Sequence, residues 1–198
     1  MADIKSAWEI AREKLEKIGE ATPEEKLQWK YIPEGGKLAA RFLREDFNLV
    51  SELAQFKDEG ARKYVSKGIQ DVLVKNITLP RNDNAKKVNK RVMDMVKNLK
   101  NDKVAVENIF SKMRRIFSHY VGPGEEQRKQ VYEELKFEIG RKLQQALQQQ
   151  MGAQAANMRI DIERQPEFQA EWRKTSRELD SQYEKHLEEY KAELSTIN

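Results

Sequence analysis

The residues best suited to chemistry are few, and the first of them stand in the stretch Tyr31 to Leu43, YIPEGGKLAARFL. Two glycines and a lysine before an apolar helical run invite comparison with a phosphate-cradling loop at a helix N-terminus. A Walker loop needs Gly-x-x-x-x-Gly-Lys followed by Ser or Thr, so that backbone amides wrap the phosphates and the hydroxyl ligates magnesium. Counted back from Gly36 and Lys37, the required glycine falls on Tyr31, and the hydroxyl position is Leu38. No strand pattern precedes the stretch. The reading that remains is punctuation: Pro33 ends one helix and the glycines turn the chain into the next.

Acid–base and metal chemistry find equally little. The two histidines are His119 and His186. A helical di-iron centre needs Glu-x-x-His pairs, but the residues three before them are Ile116 and Tyr183. Adjacent carboxylates recur at Glu24 and Glu25, at Glu133 and Glu134, and at Glu188 and Glu189. Catalytic carboxylates need surroundings that push their pKa values apart, whereas each of these pairs falls in a charged helical run that solvation accounts for. The absence of cysteine excludes disulfides, thiolate nucleophiles and zinc–thiolate sites. The sequence therefore reads as a non-enzymatic protein with no cofactor.

One feature rises above this background. Residues 86–103 read KKVNKRVMDMVKNLKNDK. At about 100° per residue, Val88, Val92, Met95, Val96 and Leu99 gather on one helix face. Lys86, Lys87, Lys90, Arg91, Lys97 and Lys100 spread over the other, a stripe of the kind that contacts phosphate backbones without reading sequence. The same stripe could instead pair with the acidic C-terminal helix, which carries Glu167, Glu171, Glu178, Asp180, Glu184, Glu188, Glu189 and Glu193.

The elements that must position these groups are helical. An apolar stripe of Ile4, Trp8, Ala11, Leu15 and Ile18 marks a first helix. Thr22-Pro23-Glu24-Glu25 supplies an N-cap, a proline at N1 and a capping-box Glu for a short second one. Further helices follow Gly36, Ala61, the cap residues Asn82 to Asn84, and Asn101 with Asp102. VLVKNITLP reads as a helix end running into an extended connection before Pro80. VGPGEE opens a long helix through Val131, Leu135, Ile139, Leu143 and Leu147, which enters a Gln- and Ala-rich segment. The alternation of Met158, Ile160 and Ile162 also permits a short extended piece there. Pro166 starts a charged final helix whose narrow stripe is Phe168, Trp172, Leu179, Tyr183, Leu187 and Tyr190. Such a stripe packs along one partner helix, within the chain or from a second copy.

In bulk, 198 residues with 35% charged and 38% apolar content suit an elongated helical protein with a thin core. The N-terminus lacks the basic flank and apolar region of a secretory signal, and no run approaches the roughly 18 to 20 apolar residues that span a bilayer. A cytoplasmic protein with no membrane contact is the expectation. YIPEGGKLAARFL together with KNITLPRNDN resembles a group of small uncharacterised bacterial proteins, over about the first 120 residues. That resemblance implies a bacterial cytosolic protein and carries no activity with it.

The fold class expected is all-α. An antiparallel multi-helix bundle over residues 1–121 is followed, over 122–198, by a long helix and a coiled-coil-like C-terminal helix. The function expected is an interaction or scaffold role through Phe168, Trp172, Leu179, Tyr183, Leu187 and Tyr190, with a protein partner or a second copy forming a homodimer. The alternative is nucleic-acid binding through Lys86, Lys87, Lys90, Arg91, Lys97 and Lys100.

Overall fold

Helix starts follow the cap chemistry closely. In the computed structural model, which describes residues 21–45, 47–152 and 160–197, the Thr22 N–H donates to Glu25 Oε2 at 2.7 Å and Glu25 N–H donates back to Thr22 Oγ1 at 3.2 Å. This reciprocal capping box opens α1, Pro23–Arg44. Asn48 caps α2, Leu49–Ala54, and α3 covers Glu59–Lys75. Asn82 and Asp102 cap α4, Asp83–Leu99, and α5, Lys103–Val121. Two longer helices follow, α6 over Pro123–Met151 and α7 over Pro166–Thr196. There is no strand among the described residues, so the fold is all-α. The helix expected from the Ile4 to Ile18 stripe falls outside them, as does Met158 of the alternation, whereas Ile160 and Ile162 lie in irregular chain before α7.

The Pro33 to Gly36 punctuation is overturned, because α1 runs through all of it without a break. A proline within a helix deletes one N–H, here the donor to the Trp29 carbonyl, and Trp29 lies on an exposed part of the helix, 68% accessible, where solvent can take that bond. The glycines serve a helix crossing instead of a turn. A Cβ on Gly35 would lie 2.1 Å from the Val65 carbonyl oxygen, and a Cβ on Gly68 would lie 2.1 Å from that of Ile32. Each helix thus places a glycine under the backbone of the other, and α1 and α3 approach more closely than any side chain allows.

Packing divides the chain into residues 1–73 and 74–198. The expected division after residue 121 does not match it, because α5 packs on both α6 and α7. In the first unit Ala39, Phe42, Leu49, Leu53, Val65 and Ile69 are buried around the glycine crossing, and Tyr64 donates its hydroxyl hydrogen bond to Glu24. In the second, Val92, Val96, Val106, Phe110, Met113 and Leu194 form the core.

Residues 76–82 make the extended connection that VLVKNITLP suggests, with Ile77 and Leu79 buried and the chain re-entering helix at Asp83. On α4 the buried face is Asn89, Val92, Met93 and Val96. It is rotated from the expected one, since Val88, Met95 and Leu99 are only half-buried. The long helix α6 buries little beyond Gly124 and Ile139 and leaves Phe137 72% exposed.

Candidate functional site

The rotation of α4 disperses its cations. Lys100 falls on the buried side, 6% exposed, outside the helix proper, where its ammonium donates to the Ile197 carbonyl. Lys97 donates to Glu107 Oε2 at 2.5 Å, Lys86 to Asp83 Oδ1 at 2.9 Å, and Arg91 is half-buried with interactions of its own. Only Lys87 and Lys90 of the six are exposed and outside the ion pairs just described. The stripe is therefore not one phosphate-facing surface. Neighbouring cations pair with the C-terminal helix: Arg81 reaches Asp180 at 2.9 Å and Glu184 at 2.7 Å, and Lys112 reaches Glu193 at 3.1 Å.

The stripe of α7 meets α5 and α6 of its own chain. Phe168 and Leu187 are each 2% exposed. Tyr132 of α6 stands edge-on to Phe168 at 5.1 Å and to Trp172 at 5.0 Å. Tyr183 packs edge-on to Tyr120 at 5.2 Å and shares a 2.9 Å hydrogen bond with His119 Nδ1. Tyr190 carries the Lys112 ammonium over its ring at 5.5 Å. Leu179 is half-buried. The face expected to meet a partner is thus largely occupied within the chain.

What the packing creates is a cleft of about 900 Å³, bounded by Pro80 and Arg81, the first turn of α4, the end of α5, the first turns of α6 and the first half of α7. Its floor is a charged network. Arg128 donates through Nη2 to the Tyr120 carbonyl at 2.9 Å and lays its guanidinium on the Tyr120 ring at 4.0 Å, a cation–π contact. Asp180 Oδ2 forms an ion pair with Arg81 at 2.9 Å, while its Oδ1 lies 3.9 Å from Arg128 Nη1. Both of those last atoms are buried, and neither has a hydrogen-bond partner among the described residues.

The network perturbs its members. Burial pushes the Tyr120 hydroxyl above its ordinary pKa, and the neighbouring Asp180 charge adds to the shift. At Arg81 burial pulls downward, but the Tyr120 hydrogen bond and the Asp180 and Glu184 charges outweigh it and hold the guanidinium more firmly protonated. Tyr132 is likewise raised, by burial and by its hydrogen bond to Glu163.

Six cations line the cleft, Arg81, Lys86, Arg128, Lys129, Arg173 and Arg177, against three carboxylates, Glu125, Glu133 and Asp180. Lys129 is held by Glu125 at 2.7 Å. Arg173 and Arg177, one helical turn apart on α7, have no ion-pair or hydrogen-bond partner among the described residues.

Residues 50–196 match the family of unknown function DUF6657. The chain belongs to this family. No curated protein and no solved structure matches it. In this DUF6657 chain the matched span holds every residue of the cleft, whereas Gly35 of the α1–α3 crossing lies before it. No helix among the described residues is long and apolar enough to cross a membrane. Of the residues singled out in sequence, Lys86, Glu133, Trp172 and Asp180 line the cleft. Arg128, Arg173, Arg177, Tyr120 and Tyr132 were not singled out. The available signal was the run of cations Arg173, Lys174 and Arg177 directly after Trp172, on a helix otherwise rich in carboxylates.

Proposed function

We propose that this chain is a non-enzymatic helical binding protein whose cleft receives a negatively charged partner. The observation that carries the reading is the excess of six cations over three carboxylates around one concave surface. Its one buried carboxylate, Asp180, is engaged by two guanidinium groups and is poorly placed to move protons. A carboxylate-rich protein segment satisfies this surface through charge complementarity, which governs encounter and choice of partner.

A second reading is nucleic acid. Lys86 stands on the cleft rim and Lys87 and Lys90 are exposed close by in sequence, so a phosphate backbone could follow them.

Fluorescence anisotropy with labelled acidic peptide, RNA and duplex DNA, at about 50 and about 200 mM salt, tests both. Acidic-peptide binding that Arg173→Glu with Arg177→Glu abolishes supports the first. RNA or DNA binding that falls by orders of magnitude with salt and is lost in Lys87→Glu with Lys90→Glu supports the second. No binding of any polyanion at the lower salt overturns both.

A further inference from the structure

We infer that the cleft recognises a phosphate ester carried on a planar ring, with the phosphoryl group on Arg173 and Arg177 and the ring against the Tyr132 and Trp172 wall. The inference rests on the anionic-partner reading above and names its chemistry.

Three observations converge on it. Arg173 and Arg177 sit at i and i+4 on α7, so their side chains emerge from the same face one turn apart. Like charges at that spacing repel and weaken a helix, and in this chain most other cations of the cleft are paired: Arg81 and Arg128 with Asp180, Lys86 with Asp83, Lys129 with Glu125. Two guanidinium groups without partners among the described residues are matched by one tetrahedral dianion, whose oxygens accept bidentate hydrogen bonds from planar forks.

The aromatic wall is the third observation. Tyr132 and Trp172 both line the cleft, both are half-buried, and their edge-on contact at 5.0 Å fixes their orientation. Rings locked in this way offer stacking or edge contacts at small entropic cost. Trp172, Arg173 and Arg177 all line the cleft, so ring and phosphoryl contacts share one concave surface. A volume of about 900 Å³ accommodates a ring and its phosphate.

Glu133 supplies the counter-argument and a control. It lines the cleft too and has no ion-pair partner among the described residues, so it competes with the dianion for the two arginines. Glu133→Gln is therefore expected to tighten phosphate-ester binding.

The experiment is isothermal titration of the full chain with AMP and with O-phosphotyrosine, against inorganic phosphate, adenosine and tyrosine. At least one ring-bearing phosphate is expected to bind about tenfold or more tightly than inorganic phosphate and than its own ring lacking phosphate. The one that does identifies the source as nucleotide or phosphorylated tyrosine. Arg177→Ala is expected to lose about tenfold or more, with Arg177→Lys intermediate because it keeps the charge and loses the fork. Lys67→Ala, exposed and outside the cleft, is expected to change nothing, and circular dichroism of each variant checks the fold. Equal binding of inorganic phosphate and both esters, or full affinity in Arg177→Ala, overturns the inference. If neither ester binds while acidic peptide still requires Arg173 and Arg177, this inference falls and the anionic-partner reading stands. If acidic peptide, RNA and DNA fail as well, both fall.

Discussion

The Asn89 carboxamide closes both backbone polar groups of Thr78. Its Oδ1 accepts the Thr78 N–H at 3.0 Å and its Nδ2 donates to the Thr78 carbonyl at 2.6 Å, while Asn89 itself is 3% exposed. The extended connection between α3 and α4 has no neighbouring strand, and its backbone needs partners from elsewhere. A side-chain amide supplies both a donor and an acceptor, as a strand neighbour would. Asn89→Ala is expected to cost about 1–3 kcal/mol, because two polar groups lose their partner and a buried space opens. Urea denaturation measures it, and a cost below a few tenths would mean solvent replaces the amide freely.

The glycine crossing separates three superficially similar positions. Gly35→Ala and Gly68→Ala each drive a methyl into a backbone carbonyl that cannot rotate away, and each is expected to destabilise by about 1–3 kcal/mol or more. Gly36 is different: its added Cβ meets only Val72 Cγ2 at 3.6 Å, an ordinary contact. Gly36→Ala should therefore stabilise by up to about 1 kcal/mol through helix propensity. Thermal melts of the three variants should show opposite signs.

Leu187→Asp distinguishes a self-association face from a core position. With Leu187 2% exposed within its own chain, the substitution buries a carboxylate among apolar groups and is expected to cost about 4 kcal/mol or more. Helical ellipticity and melting temperature should both fall. A variant that keeps its helicity while its mass by light scattering halves would instead place Leu187 between two copies.

Glu107 gives a pH prediction with a definite sign. Its carboxyl is held below the ordinary glutamate range by the hydrogen bond from Lys97 and then that from Arg114. A depressed folded-state pKa contributes stability that is fully present above the unfolded value, near about pH 4.3, and is lost as pH falls through the folded value. Carboxyl NMR titration should find the Glu107 midpoint below that of an exposed glutamate. Glu107→Gln should flatten the acid limb of stability against pH, and an identical limb in both proteins would show that the pairing adds nothing.

Much of the fold was legible because it was local. The Thr22–Glu25 box and the Asn82 and Asp102 caps each need only residues within one turn, and all three form. Gly35 was misread because its explanation lies about 30 residues away, at Val65. An isolated helical glycine with a packing reason is a recognised pattern, but its partner is not written beside it. The α4 stripe was misplaced by one position because Asn89, polar by type, belongs to the buried face. The cleft was invisible for a related reason: its walls come from four helices and a connection, and Arg173 and Arg177 stand out only once the other cations are paired.

The ties of α7 also bear on how the protein is made. Arg81 bonds to Glu184 across 103 residues, Lys112 to Glu193 across 81, and Lys191 to the Lys75 carbonyl across 116. A growing chain emerges from its N-terminal side, so α5 is synthesised long before α7, the helix that covers it. Residues 1–73, whose closest crossing joins positions about 33 apart, can mature early. The second unit cannot settle until α7 is released. During that interval the apolar face of α5, with Ile109, Phe110 and Met113 at its centre, is open to aggregation or to a chaperone.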